Sequence, residues 1–272
     1  MQNKNRRHST PDQKPSKIGQ NTHWNQVSKS YDRQVGKEGS EYHQEILIPG
    51  TLNLLEPKRG EKILDLGCGQ GVFCRALSRL ALEIEMTGID AARNLIERAK
   101  TYPQEHHRMG YHVMEASHLK GIPNEKFDAI VSILALQNMN PIESVIQEIT
   151  RVAKKKARMV LILNHPCFRI PRQSSWGFDE SNKIQYRRID RYMSPLEIPI
   201  KMHPGSNPDL ITLSFHRPLS YYIQALYAYR WALTYMEEWS SHKESEPGAR
   251  SRAENRARQE IPLFLAIRAE RI

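Results

Sequence analysis

The sequence predicts an α/β fold with a parallel sheet covered by helices on both faces. From residue 62 to residue 163, short apolar runs alternate with stretches of helical spacing, which is the rhythm of repeated strand–helix–strand units. The first apolar run, Lys62–Leu66, leads into a turn with three glycines, and the second ends at Asp90. Glycines at such a turn let the backbone approach a ligand closely.

The elements follow in order from the local patterns. Apolar spacing and proline positions predict helices over residues 23–55 (interrupted at Gly36 and Gly39, with a turn at Pro49-Gly50), 72–82, 91–102, 141–152, 218–229 and 249–260. Apolar runs predict strands over residues 62–66, 84–90, 111–114, 127–136, 158–163, 231–239 and 261–268. We expect the last two strands at one edge of the sheet, in a direction that the sequence does not determine.

Composition indicates one globular domain with a basic N-terminal tail. The 272 residues suffice for a two-sided core, and no apolar run reaches the roughly 18 residues of a membrane span. Residues 1–21 are basic and lack a signal peptide's apolar stretch, so we expect a disordered tail ahead of a domain over 22–272. Three cysteines without CxxC spacing favour a reducing, cytoplasmic setting and no metal site. The net charge of +10 favours anionic partners without naming one.

The glycine-rich turn carries an acid that helps to identify its ligand. Asp65 precedes Gly67, Cys68, Gly69 and Gly71. In dinucleotide enzymes such a turn binds a pyrophosphate, but Asp65 would bring a second anionic group to that site. The pattern therefore favours a ligand that presents a cationic ammonium group and no phosphate.

Asp90 allows two interpretations. It ends the second strand about 20 residues beyond the glycine turn, the spacing at which an acid accepts hydrogen bonds from a ribose. Alternatively, it caps the helix that follows, since Ala91 comes directly after it.

These motifs resemble those of the class I, Rossmann-like S-adenosylmethionine-dependent methyltransferases, from about Trp24 to Ile272. The resemblance implies a seven-stranded, mostly parallel sheet with a lid insertion after the fifth strand. It also implies S-adenosyl-L-methionine as cofactor, held by Asp65, Gly67, Cys68, Gly69, Gly71, Asp90, Ala91, Glu115, Ala116, Ser117, Leu134 and Tyr31. Glu115 stands where the family usually has aspartate, and Gln137 stands where many relatives carry histidine. Core packing is the alternative for Trp24 and Tyr31, because aromatic residues on an amphipathic stripe usually pack inside.

The alternation breaks between residues 165 and 217, and a long irregular connection inside a domain is usually functional. The run from Ser214 to Leu219 resembles small-molecule methyltransferases, including the quinone-biosynthesis type, in which the insertion forms part of the substrate pocket.

His165 and His216 are the candidate bases, the alternative being that each orients backbone or caps an element. The candidate substrate residues are Arg172, Tyr186, Arg191 and Tyr192. The arginines either clamp an anionic group or form internal ion pairs.

Three functions remain open on the sequence. The first is methyl transfer to oxygen, nitrogen or carbon of a small molecule. The second is methylation of RNA, favoured by the net charge and the arginine- and tyrosine-rich insertion. The third is a cofactor-binding scaffold without turnover. The sequence indicates neither the methyl acceptor nor the oligomeric state.

Overall fold

The structure, a computed structural model, describes residues 24–80, 82–103, 108–201 and 211–272. Its helices are α1 (Trp24–Val35), α2 (Ile48–Leu55), α3 (Val72–Ser78), α4 (Arg93–Thr101), α5 (Ile142–Val152), α6 (Leu219–Ala228) and α7 (Ser251–Glu260). A π-helical turn (His43–Leu47) runs directly into α2. The strands are β1 (Lys62–Leu66), β2 (Glu85–Asp90), β3 (Met109–Val113), β4 (Phe127–Ile133), β5 (Ala153–Asn164), β6 (Ser174–Asp179), β7 (Ile184–Ile189), β8 (Leu196–Lys201), β9 (Ile211–His216), β10 (Trp231–Trp239) and β11 (Phe264–Arg271).

Seven strands form one sheet, in the order β3-β2-β1-β4-β5-β11-β10. The pairs from β3 to β5 are parallel, whereas β11 runs antiparallel to both β5 and β10. The chain order reverses between β1 and β4, which is where α/β sheets open a crevice for a ligand. The α/β prediction is confirmed, and so is the placement of the last two strands at one edge.

The core lies on both faces of this sheet. One buried cluster joins the sheet to α5 and α6, where Ile142, Val145, Ile146 and Ile149 form one stripe of α5. The other joins it to α2, α3 and α4. Because helices cover both faces, the central strands read as continuous apolar runs and not as alternating ones. None of the helices in the described ranges is long and apolar enough to cross a membrane.

Two predictions of local structure are wrong. Pro49 and Gly50 lie inside α2 and do not form a turn, because Pro49 occupies the first turn of that helix, where a missing N–H costs nothing. The described residues between 165 and 217 are not an irregular connection. They contain two antiparallel strand pairs, β6–β7 and β8–β9. Neither β6 nor β7 has a fully buried residue, and β8 and β9 are only six residues long, so no long continuous apolar run marks any of the four. The predicted tail, 1–21, lies outside the described residues.

A buried ion pair ties α2 to the sheet. Two nitrogens of the Arg158 guanidinium reach neighbouring parts of the chain: Nε donates to the Leu55 carbonyl at 3.0 Å, and Nη2 contacts both carboxylate oxygens of Glu61 at 2.9 and 2.7 Å. Only 10% of the Arg158 side chain and 12% of the Glu61 side chain are exposed. Losing either partner leaves the other charge buried and unpaired.

We predict that Arg158→Met lowers the free energy of unfolding by about 3 to 5 kcal/mol, as expected when one partner of a buried pair is removed. Urea denaturation followed by circular dichroism measures this loss. Adding Glu61→Leu to the variant should restore part of the stability, since no unpaired charge then remains. Arg59→Met, which breaks the exposed pair with Glu83, is the control and should cost less than about 1 kcal/mol. Equal losses in the two arginine variants would contradict the prediction.

Candidate active site

A cleft of about 400 Å³ opens at the carboxyl ends of the parallel strands, within the range of small-molecule sites. Each strand from β1 to β5 contributes residues at its carboxyl end or in the loop that follows it. These residues include Gly67, Gly69, Asp90, Ala91, Ala92, Met114, Glu115, Ala116, Ser117, Leu134, Ala135 and Asn164. The fold thus brings distant parts of the sequence to one cavity, because the ends of parallel strands meet at the same edge.

The glycine-rich turn is held by the end of the neighbouring strand. The Ile89 carbonyl accepts hydrogen bonds from the N–H groups of both Gly67 and Cys68, at 2.8 and 2.9 Å. The Gly69 N–H donates to Asp90 Oδ2 at 3.0 Å. All three N–H groups are therefore satisfied within the protein, and none is free for a ligand.

Asp90 combines the two roles that the sequence left open. Its Oδ1 accepts a hydrogen bond from the Ala92 N–H at 2.8 Å at the start of α4, as a helix cap would. The same carboxylate lines the cleft beside Ala91. Burial raises the pKa of Asp90, although the hydrogen bonds from Ala92 and Gly69 oppose that shift.

Asp65 lies behind the glycine turn and outside the lining of the cleft. It is 2% exposed, and its Oδ2 accepts a hydrogen bond from Cys74 Sγ at 3.2 Å. Burial raises the pKa of Asp65 to about 7, and the negative charge of Asp90 adds to the shift.

Tyr31 lies over the turn, its ring 3.6 Å from the point where a side chain on Gly69 would begin. Tyr31 lines the cleft, so its ring forms part of the covering surface.

Gly71 ends the turn where α3 begins. Its φ is +78°, in the left-handed region that glycine favours. A Cβ at this position would lie 2.4 Å from Tyr111 Oη. Both the backbone conformation and the neighbouring ring therefore require glycine. Gly71 and Cys68, like Asp65, do not line the cleft; the other nine predicted cofactor residues do.

The structure does not bring the two predicted bases into the cleft lining. His165 is 1% exposed; its Nε2 pairs with Glu238 Oε1 at 2.7 Å, and its Nδ1 accepts a hydrogen bond from the Cys167 N–H at 3.2 Å. His216 is 6% exposed, and its Nε2 is bonded to the Tyr192 carbonyl at 2.7 Å. Burial lowers the pKa of both imidazoles. Both histidines are held by hydrogen bonds within the protein, as expected from the alternative that each orients the neighbouring backbone.

The four predicted substrate residues also lie outside the cleft lining. Arg172 and Arg191 are exposed, and Tyr186 is half exposed with its ring packed against Gly177. Tyr192 Oη accepts a hydrogen bond from the Leu219 N–H at 3.0 Å at the start of α6. The insertion contributes other residues instead, namely Pro171, Ile200, Thr212 and Ser214.

His43, which the sequence interpretation missed, is the imidazole that lines the cleft. It begins the π-helical turn, and its Nδ1 lies 2.8 Å from Ser40 Oγ. Burial lowers the pKa of His43 to about 4, so the ring is neutral near pH 7. One signal in the sequence could have indicated His43. Ser40, which directly follows Gly39, stands three residues before His43, and residues three apart in a helical segment are neighbours on its surface.

Comparison with known proteins agrees with this geometry. Residues 64–161 match a family model described as "Methyltransferase domain". The matched residues include the glycine turn, Asp90, the Glu115 turn and most of β5, and they contribute a large part of the cleft lining.

Full-length relatives resemble parts of this chain. The demethylmenaquinone methyltransferase of Thermotoga maritima is 31% identical over 102 residues, 38% of this chain and 43% of the relative. The ubiquinone biosynthesis O-methyltransferase of Pelagibacter ubique is 31% identical over 107 residues, 39% of this chain and 43% of the relative. The matches thus span less than half the length of these curated relatives. The crystal structure of an S-adenosylmethionine-dependent methyltransferase from Mesorhizobium loti shares the fold, with a TM-score of 0.65 and 24% identity over 82% of this chain and 96% of that one.

We predict that Gly71→Ala unfolds the glycine-rich turn, because it adds both backbone strain and a clash with Tyr111. Gly121→Ala is a matched control: Gly121 has a φ of +83° but nothing within 4 Å of its added Cβ. The control should cost only the left-handed strain, about 1 to 2 kcal/mol, whereas Gly71→Ala should lower the melting temperature further. Equal melting temperatures for the two variants would contradict the clash.

Proposed function

We propose that this chain is an S-adenosyl-L-methionine-dependent methyltransferase that acts on a small molecule. The observation that carries the proposal is the cleft itself. There, two acids that follow successive strands, Asp90 and Glu115, face the same cavity as Gly67 and Gly69. The domain match and the shared fold support the same activity.

The surroundings of the glycine turn favour this methyl donor over a dinucleotide. A pyrophosphate is usually bound by free N–H groups at such a turn, but those of Gly67, Cys68 and Gly69 already bond within the protein. The carboxylate of Asp90, which lines the cleft, would also repel it. A ligand that brings an ammonium group gains from this carboxylate and needs no phosphate-binding amides.

The remaining lining suits the nucleoside part of the donor. Asp90 carries free lone pairs that can accept hydrogen bonds from the ribose hydroxyls. Glu115 and Ser117 stand at the next turn, where they can contact the adenine edge, and the apolar side chains of Leu95 and Met114 can cover its faces. These assignments extend the predicted roles of Asp90, Glu115 and Ser117.

The acceptor would lie toward the insertion. Pro171, Ile200, Thr212 and Ser214 face the cleft from that side, and they offer two hydroxyl groups beside apolar surface. This lining suits a small, partly apolar molecule. The names of the curated relatives, which refer to demethylmenaquinone and to ubiquinone biosynthesis, support a small-molecule acceptor.

When bound, S-adenosylmethionine supplies a methyl group on a positively charged sulfur. The protein's task is to align the acceptor with that methyl group and to exclude water. A neutral imidazole can take a proton from a hydroxyl or ammonium acceptor. His43 fits this role if its proton lies on Nδ1 and is donated to Ser40 Oγ, because Nε2 then keeps its lone pair.

We predict that Asp90→Asn weakens binding of S-adenosylhomocysteine at least tenfold, since hydrogen bonds to a charged group contribute about 1.5 to 3 kcal/mol. Calorimetry measures the affinity. Asp128→Asn is the control, because Asp128 also accepts a backbone N–H bond, from Lys62 at 2.9 Å, but lies at the opposite end of β4. Tight binding of NADH, or equal affinity in both variants, would contradict the proposed donor.

We predict that His43→Gln lowers kcat about 10²- to 10⁴-fold, as for loss of a general base, with little change in affinity for S-adenosylhomocysteine. Transfer of a labelled methyl group into a metabolite extract supplies the assay and the acceptor. His112→Gln, an exposed histidine outside the cleft lining, is the control. Because the pKa of His43 is about 4, its contribution should be constant near neutrality and should disappear as the pH falls through 4. An unchanged kcat in His43→Gln would remove His43 from the reaction.

A further inference from the structure

A second cavity, of about 320 Å³, lies beside the first hairpin of the insertion. Arg169 and Trp176 line it from the insertion, and Arg258 and Glu254 line it from α7. Tyr42, which also lines it, precedes the cleft residue His43 in the chain. The two cavities are thus separate but share the turn at residues 42–43.

Two arginines of this cavity have a nitrogen without a hydrogen-bond partner in the described structure. The Nε atoms of Arg169 and Arg258 are buried and make no hydrogen bond within the part of the chain that the structure describes. Neither guanidinium forms an ion pair with a carboxylate of the described residues. Glu254 also lines the cavity, but it lies beyond ion-pair distance of both arginines. Both side chains are partly buried, and a positive charge that is partly withdrawn from water and has no ion pair is stabilised by a counter-charge.

A third arginine increases the positive charge at this place. Arg187 stacks on Trp176 with its guanidinium carbon 5.1 Å from the ring centroid, and Arg169 stacks on the same ring at 5.4 Å. Burial and the positive charges of Arg187 and Arg258 lower the pKa of Arg169 to about 10. Arg187 itself is anchored, since it donates to the Phe168 carbonyl at 2.9 Å and to Ser174 Oγ at 2.7 Å.

The rest of the lining suits the body of an organic ligand. Trp176, Tyr42 and Leu263 offer apolar surface, and Gln185 and Ser241 offer neutral hydrogen-bonding groups. Guanidinium groups bind planar carboxylates and phosphates through two parallel hydrogen bonds. The cavity therefore combines an unsatisfied positive pair with walls that would contact the remainder of a small molecule.

We propose that this cavity is a second binding site, which takes a small organic anion and holds its carboxylate or phosphate group between Arg169 and Arg258. The bound anion would neutralise two charges that repel each other in its absence. The proposal does not depend on methyl transfer, because this cavity shares no lining residue with the first cleft.

Thermal shift and calorimetry with inorganic phosphate and with succinate, in low-chloride buffer without cofactor, test the site. One or both anions should raise the melting temperature of the wild type, and the stronger of the two identifies the preferred group. Affinity should fall at least tenfold in Arg169→Gln and in Arg258→Gln. Arg256→Gln, which removes an exposed charge from the same helix, should bind as the wild type does.

A measurement without anion separates binding from folding. If the two arginines serve a ligand, Arg169→Gln should melt at or above the wild-type temperature in plain buffer, since it removes a repelled charge. Several results would overturn the proposal: no binding of either anion at millimolar concentration, equal binding by all four proteins, or a large loss of stability in Arg169→Gln without anion. Absence of S-adenosylhomocysteine binding would count against the proposed function alone and would leave this site standing.

Discussion

The hydrogen bonds from the glycine turn to the end of β2 are the constraint on which the cleft depends. Gly67 and Cys68 share the Ile89 carbonyl, and Gly69 donates to the carboxylate of the next residue, Asp90. The turn cannot move without breaking contact with the neighbouring strand, so the positions of the glycines and of Asp90 are coupled. This coupling also determines the kind of ligand, because it uses the amides that would otherwise bind a phosphate.

Sheet topology explains why the remaining parts of the cleft gather around that turn. Strands β1 to β5 are parallel and in register, so the loops after them reach one edge. Leu134, at the loop after β4, adopts a φ of +52° where its N–H donates to the Ile162 carbonyl at 2.8 Å. Non-glycine residues in this conformation carry strain that the surrounding structure must hold in place. The strand ends thus form a rigid side of the cleft, which faces the residues that the insertion contributes.

The parallel sheet and the strand ends that line the cleft could be predicted from the sequence, because apolar runs and glycine spacing are local signals. Strand β10 matches its predicted range of 231–239, and Asp90 and Glu115 lie in the expected cavity. The part of the cleft that the insertion lines could not be predicted. Its residues Ile200, Thr212 and Ser214 belong to β8 and β9, which are only six residues long and contain no long continuous apolar run. His165 and His216 were proposed as bases because of their position in the chain, but only tertiary contacts reveal that Glu238 and the Tyr192 carbonyl occupy them.

The net charge of the sequence likewise does not locate a binding site. Many of the arginines behind the excess of +10 are neutralised locally, as Arg151 is by Glu148 and Arg188 is by Asp190. Such pairs mean that a count of basic residues does not locate a binding surface. Arg169 and Arg258 differ because, within the described structure, neither forms an ion pair and the Nε atom of each is buried without a hydrogen bond. An anion site is therefore indicated by positive charge that is left unpaired in a cavity and not by the number of basic residues. Exposed charges are largely screened by salt beyond a Debye length of about 8 Å at physiological ionic strength.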